Sequence, residues 1–357
     1  MHVRLTEKME CSKKERVKIK LLSLVTAVVL ISLLIAVLQY PVFGIYKQMM
    51  IGAFGSLYSI RYVLVKTVPL ALCAIGVTYA YRMKFWNIGA EGQVMMGAFA
   101  ATGIALFYNQ LPKPLVLLLM ALAAIFMGAV WILLPAIFKI KLGVNETILT
   151  LMLNYVATQW ITYLQYSRWK DPKAFGFTKI ATFEDSATLP ELFGIHIGFY
   201  IMLFILIATY VLFKYTKLGF KMKIIGESSD TANYLGFKKN RILFGMVALS
   251  GAICGLAGMI QVSGVEHTLH TSVSNNVGFS AILIAWLSGL NPVAILVVSF
   301  LFAGLTEGAG YLQTVFQIPQ DIAIIIQGIV LFCVTGSEFF TRYSVSIDRS
   351  RKGEMAK

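Results

Sequence analysis

Long apolar runs alternate along this chain with short polar segments, and the polar segments hold most of the lysine and arginine. Residues 21–38, 61–81, 88–107, 115–138, 146–165, 196–213, 242–262, 278–290, 293–308 and 322–340 are each dominated by apolar side chains. A helix needs about 20 such residues to cross a hydrocarbon core about 30 Å thick. The pattern therefore predicts about ten transmembrane helices. The eighth and ninth runs are short and turn at Asn291-Pro292, as a tilted or re-entrant hairpin would. Residues 42–60 are mildly amphipathic, carry Lys47 as their only charge, and predict a segment lying along the outer surface.

The polar segments set the orientation. Arg4, Lys8, Lys13, Lys14, Arg16, Lys18 and Lys20 precede the first run, and Arg82 and Lys84 follow the second. Lys139 and Lys141 follow the fourth, and Arg342, Arg349, Arg351, Lys352 and Lys357 the tenth. Short cation-rich segments beside spans stay in the cytoplasm. In residues 168–195 the cations Arg168, Lys170, Lys173 and Lys179 are balanced by Asp171, Glu184, Asp185 and Glu191, which suits the outer face. The result is an all-α polytopic membrane protein, a single transmembrane domain over 1–357 with both termini cytoplasmic. No small-x-small cleavage pattern follows the first run before Gln39-Tyr40-Pro41, so that run reads as a retained span.

Composition narrows the class. Of 357 residues 58% are hydrophobic and only 13% charged, where soluble domains carry about a quarter; mean hydropathy is +0.75. The net charge of +14 invites a nucleic-acid partner, but no nucleic-acid-binding motif is present, and anionic lipid headgroups account for cations beside spans. Cys11, Cys73, Cys254 and Cys333 are scattered, without metal-ligand or redox spacing. The chain contains no GxxxxGK[ST] phosphate loop, so any ATP hydrolysis belongs to a partner.

Residues 214–241 form the clearest polar interruption between two hydrophobic halves. Lys214, Lys217, Lys221, Lys223, Lys238, Lys239 and Arg241 outnumber Glu227 and Asp230 there. Within it Ser228 or Ser229 can cap a helix, Asp230 suits its first turn, and Gly236 suits its end. An exposed helix of about two turns results, either a docking peg for a partner or a solvated loop that only fixes topology. A second signal is an internal echo: Asn87-Ile88-Gly89 opens the third run and Asn276-Val277-Gly278 the eighth, entering from opposite sides. It makes spans two to five and seven to ten (about 61–165 and 242–341) candidates for inverted half-repeats, the arrangement that places transport sites at a repeat interface.

Candidate chemistry concentrates in Phe85-Trp86-Asn87-Ile88-Gly89-Ala90-Glu91-Gly92-Gln93. A carboxylate deep in a bilayer costs about 2.5–3.5 kcal/mol on insertion scales, so Glu91 should face a cavity or a partner, or else cap a helix start at headgroup level. Asn145 and Glu146 suit the cap of the fifth span. Asn154, Tyr155 and Gln159 follow at near-helical spacing, either to meet a neutral solute or to join helices. The aromatic rings of Phe85, Trp86, Tyr155, Phe279 and Trp286 can stack on a base or serve as packing anchors. Gly251-xxx-Gly255 and Gly304-xxx-Gly308 allow close helix approach. Glu307 is a second acidic residue in an apolar run. His267 and His270 beside Glu266 read as a solvated loop rather than a metal site.

Taken in order and spacing, FWNIGAEGQ, Asn145-Glu146-Thr147-Ile148, Leu151-Met152-Leu153-Asn154-Tyr155, Gly226-Glu227-Ser228 and Asp230–Gly236 resemble the permease subunits of nucleoside-importing ABC transporters, within the ribose and branched-chain amino acid permease family. The resemblance covers about residues 61–341. It implies a multi-pass permease in the cell membrane with no catalytic residue, metal or cofactor of its own. Its implied partners are an ABC ATPase that uses ATP and magnesium, a sister permease forming a heterodimer, and an extracytoplasmic lipoprotein that delivers nucleoside. Residues 214–241 become the coupling loop, with Glu227, Ser228, Ser229, Asp230, Ala232, Tyr234 and Gly236 as its ATPase-facing set. Trp86, Asn87, Glu91, Gln93, Asn154, Tyr155, Asn276 and Phe279 become candidates for the substrate path. Ser228-Ser229, Thr231 and Ser288-Gly289 depart from the family's commoner residues. A ribose-type sugar permease is the alternative within the family, and an ion-coupled secondary transporter the alternative outside it.

Overall fold

The computed structural model describes residues 2–7, 12–172, 174, 176 and 178–348. Cys11, Lys8, Lys173, Arg349, Arg351, Lys352 and Lys357, named above, lie outside that set. In chain order the helices are α1 (Lys13–Val37), α2 (Val42–Phe54), α3 (Leu57–Tyr81), α4 (Ala90–Phe107), α5 (Lys113–Leu142), α6 (Glu146–Tyr166), α7 (Gly198–Tyr215), α8 (Lys217–Glu227), α9 (Ser229–Tyr234), α10 (Lys239–Gln261), α11 (Val277–Leu287), α12 (Pro292–Phe316) and α13 (Gln320–Arg342). Among the described residues four short strands accompany them: β1 (His2–Glu7), β2 (Glu191–Leu192), β3 (Ile195–His196) and β4 (Tyr343–Asp348). Two compact units result, residues 60–303 and residues 1–59 with 304–357.

All ten apolar runs fall on helices, yet a count of ten spans does not follow. Among the described residues seven helices are long and apolar enough to cross a membrane: α3, α4, α5, α7, α10 with its extension to Glu266, α12 and α13. The pair α1 and α2, bent by 117°, makes an eighth if it is one span. With 11 residues, α11 is about 16 Å long at 1.5 Å per residue, half a hydrocarbon core. At 21 residues α6 has the length but is too polar, with Thr147, Thr150, Asn154, Thr158, Gln159, Thr162 and Gln165 along it. The helix α12 runs on to Phe316, eight residues past the end of the ninth apolar run at 308.

In the unit 60–303, α3 is buried almost throughout from Thr67 to Tyr81. Small residues let α10 lie directly on its neighbours. A Cβ at Gly255 would overlap the Ala124 carbonyl of α5, and one at Gly258 the Val94 carbonyl of α4, so backbones meet where only hydrogen stands between them. Beyond Gln261 the helix loosens into a π turn, Val262–Glu266. The long segment before α7 folds over that turn: Phe183 N–H donates to the His267 carbonyl (2.8 Å), Leu189 N–H to Ser263 (2.9 Å) and Thr268 Oγ1–H to Ile180 (3.1 Å). His196, taken from the sequence as the first residue of the sixth span, lies instead in β3.

In the other unit, Ile31 and Ile35 of α1, Ile45 and Met49 of α2, Leu312 of α12 and Ile326 of α13 share one core. The Tyr46 hydroxyl donates to the Val28 carbonyl (2.9 Å). Residues 2–7 and 343–348, read from sequence as plain basic tails, pair as antiparallel strands from His2↔Asp348 to Glu7↔Tyr343. The period-two placing of Val3 and Leu5, and of Val345 and Ile347, suits a strand.

Candidate functional site

Residues 82–89 join α3 to α4 without helical backbone. Inside a membrane, peptide groups that give up helical bonds need other partners, and α6 supplies them from one face. Trp86 N–H donates to Glu146 Oε1 (3.3 Å), Ile88 N–H to Thr150 Oγ1 (3.2 Å) and Gly92 N–H to Asn154 Oδ1 (2.9 Å). Asn154 Nδ2–H returns a bond to the Ile88 carbonyl (3.0 Å). Glu146, Thr150 and Asn154 are four residues apart, so the segment climbs about 12 Å along α6 as it enters α4. Glu146 is held in turn by Lys139 at the end of α5, while Asn145 caps α6 by accepting from Thr147 N–H (2.9 Å). Asn87 is fully buried. Its Oδ1 accepts from Gly89 N–H and from Gln93 Nε2–H, both at 2.9 Å, and its Nδ2–H reaches Ser250 Oγ on α10 (3.4 Å).

The start of α11 comes to the same place. Glu91 is 6% exposed, and its carboxylate accepts from the Ser274 hydroxyl (2.5 Å), Asn276 N–H (3.1 Å) and Gly278 N–H (2.7 Å). Unpaired amide donors and the positive end of the dipole gather at a helix start, so one carboxylate serves the first turns of both α4 and α11. The approach is possible because Gly278 lacks a side chain: a Cβ there would overlap the Glu91 backbone. Asn275 (φ 45°) and Asn276 (φ 60°) lead into α11 in the left-handed region, which asparagine enters more readily than other residues with a Cβ.

Aromatic rings edge this network. Trp86 stacks on Trp286 of α11 (centroids 5.5 Å apart, planes 14°), and Tyr81 packs against both (5.3 and 5.8 Å). Trp86 and Phe279 are partly exposed. Tyr155 faces outward from α6, where it lines an open trough of about 550 Å³ with Val156, Gln159, Trp160 and Tyr163.

The polar stretch 214–241 forms two helices. Thr216 Oγ1 caps α8 by accepting from Gly219 N–H (3.2 Å), and Ser228 Oγ caps α9 by accepting from Thr231 N–H (3.2 Å). Gly236 (φ 71°) closes α9, with Gly236 N–H on the Asn233 carbonyl (2.9 Å) and Phe237 N–H on the Ala232 carbonyl (3.0 Å). That bond pair is a Schellman ending. Ala232 is buried, Asp230 and Glu227 are exposed, and Tyr234 projects with 92% of its surface free. The Ser229 side chain is outside the described set. The sequence reading assigned no helix to residues 217–227, where cations mask the buried stripe Gly219, Met222, Ile225 and Gly226.

A family model described as branched-chain amino acid transport system, permease component, matches residues 59–335. The chain belongs to this permease family. The permease is 33% identical to the glucose ABC transporter permease protein TsgB13 of Haloferax volcanii, over 87% of this chain and 85% of that one. It is 28% identical to the nucleoside ABC transporter permease protein NupB of Lactococcus lactis, over 90% and 92% of the two chains. It is 26% identical to the guanosine ABC transporter permease protein NupP of Bacillus subtilis, over 86% and 89%.

Among the path candidates, the permease brings Asn87, Glu91, Gln93 and Asn154 into one buried cluster, with Trp86, Phe279 and Asn276 at its rim, the last exposed and joined to Glu91 through its backbone N–H. Tyr155 stands apart on the outer side of α6. Ser250 and Ser274 were not anticipated, since lone serines in or beside apolar runs carry no distinguishing signal. Thr150 was within reach: it sits midway between Glu146 and Asn154, on the face their spacing defines.

Proposed function

We propose that this permease is one transmembrane half of an ABC importer that carries nucleosides into the cytoplasm, powered by a partner ATPase. A second permease would complete the path, and an extracytoplasmic lipoprotein would deliver the solute. The observation that carries the reading is the outward stripe of α6. A helix of span length carries Tyr155, Gln159, Trp160 and Tyr163 on its exposed face. Hydrocarbon is a poor environment for an amide and phenolic hydroxyls, whereas a wet path between two permeases would employ them. Ring faces stack on a base, and amides and hydroxyls meet base edges and ribose. In this reading α9 is the ATPase-facing peg, residues 61–165 and 242–341 are inverted half-repeats rocking about the Glu91 cluster, and both termini are cytoplasmic.

The second reading is sugar import. It is favoured by the 33% identity to the Haloferax volcanii glucose permease, because aromatic faces also stack on sugar rings. Cells lacking their own nucleoside and sugar importers, and expressing the permease with its ATPase, second permease and lipoprotein, separate the two. Labelled guanosine or uridine should enter, and unlabelled nucleosides but not glucose or ribose should compete. Uptake of glucose or ribose alone would replace the nucleoside reading, and ion-driven accumulation by the chain without an ATPase would overturn the importer itself.

A further inference from the structure

Between the α8–α9 arm and the two broken helix starts stands a single arginine. Arg82 directly follows α3 and is half-buried. Its Nη2–H donates to the Leu290 carbonyl (2.9 Å) in the turn between α11 and α12, and its guanidinium carbon lies 3.8 Å from the Phe213 ring centre near the end of α7. Its own carbonyl is where α8 touches down, since a Cβ at Gly226 would overlap that oxygen. Two residues on, Lys84 Nζ–H reaches the Glu227 carbonyl at the last residue of α8 (3.4 Å).

The turn that Arg82 grips is unusual. Gly289 and Leu290 both have φ of 58°, and a bulky residue such as leucine enters the left-handed region rarely. Such a turn persists where its surroundings hold it, and the bond to the Leu290 carbonyl is one hold. Arginine suits the place because a planar fork can lie over a ring and still donate in its own plane, which an ammonium cannot do as well. From this turn α11 leads back to Glu91, and residues 83–89 lead there from Arg82 itself. The stacked pair Trp86 and Trp286 ties the two routes midway.

We infer that Arg82 is the positioning residue that makes the arm, the α11–α12 turn and the 82–89 segment move as one piece. A push on α8 then reaches both broken helix starts together. This rests on the proposed reading of 214–241 as the ATPase-facing arm. Without Arg82 the arm still docks and ATP is still hydrolysed, but the motion is not passed on.

The test uses the full importer in proteoliposomes, with ATP hydrolysis and labelled nucleoside uptake measured on the same vesicles. Arg82→Gln should assemble and hydrolyse ATP within about twofold of the wild type, while solute moved per ATP falls tenfold or more. Arg82→Lys, which keeps charge but not the fork, should recover part of that ratio. A wild-type ratio in Arg82→Gln overturns the inference, and so does a loss of ratio matched by an equal loss of hydrolysis. If Arg82→Gln does not fold, Phe213→Leu removes only the ring beneath the guanidinium; a lowered ratio supports the inference and a wild-type ratio overturns it. Tyr234→Ala, run in parallel, addresses the arm: unchanged ATPase association there rejects the arm reading whatever Arg82 does.

Discussion

Removing the Glu91 carboxylate should loosen the start of α11 by an amount that can be bounded. Three donors converge on it, from Ser274, Asn276 and Gly278. A hydrogen bond to a charged group contributes about 1.5–3 kcal/mol in water-soluble proteins, and interhelical bonds inside a membrane average only about 0.6 kcal/mol because the unfolded reference finds other partners. Three such bonds set the cost of Glu91→Ala between about 2 and about 9 kcal/mol, well above the usual effect of a surface change. Glu91→Gln keeps one accepting oxygen but turns an amide donor toward donors, so it should recover less than half. The assay is thermal unfolding of the purified permease in detergent, with Ser274→Ala and the double variant completing a cycle. Ser274 acts through Glu91, so the double variant should cost clearly less than the two single losses added together. Additive losses, or a Glu91→Ala variant as stable as the wild type, would refute the claim that this carboxylate fastens two helix starts.

Helix packing and pH supply two further tests. Gly258→Leu should abolish the monodisperse size-exclusion peak by driving α10 off α4, whereas Gly245→Leu on the same helix, with nothing within 4 Å of its missing Cβ, should leave the peak intact; equal behaviour would refute close packing as the reason for glycine. His196 is buried, neither ring nitrogen has a hydrogen-bond partner among the described residues, and burial, aided by His267, pushes its pKa down to about 4 from an ordinary value near 6.5. The folded state therefore resists protonation, so this residue's contribution is full above pH 6.5 and falls by up to about 3 kcal/mol as the pH drops toward 4. His196→Phe should flatten the decline in unfolding temperature between pH 6.5 and 4, and an unchanged decline would count against it.

What the sequence disclosed depended on how far each interaction reaches along the chain. Ser228, Asp230 and Gly236 cap, charge and close a six-residue helix from within itself, so α9 was legible to its ends. Asn-x-Gly marked two helix starts for the same reason. Glu91 was legible as a carboxylate in need of partners, but Gly278 lies 187 residues away, and no local pattern names a partner at that distance. Arg82 read as a topogenic cation because charge beside a span has that commoner explanation; its grip on Leu290 is purely tertiary. The strands β1 and β4 were missed because each is six residues long and depends on the other.

The span count deserves a different explanation, because hydropathy tests a helix as a whole while a membrane acts on its faces. The helices α6 and α11 were both counted as spans, and for unlike reasons they fall outside the seven that are long and apolar enough. Short length fails α11, and a helix that stops halfway must place its first amides against protein, which is where Glu91 stands. Polarity fails α6, and that polarity is divided between two faces. Glu146, Thr150 and Asn154 turn inward to hold the 86–92 segment, while Gln159, Tyr155 and Tyr163 turn outward. A helix packed only against its own chain needs polar groups on one side. Polar groups on both faces lower the average taken round the whole helix, so a count based on that average leaves α6 out although its length suffices to span.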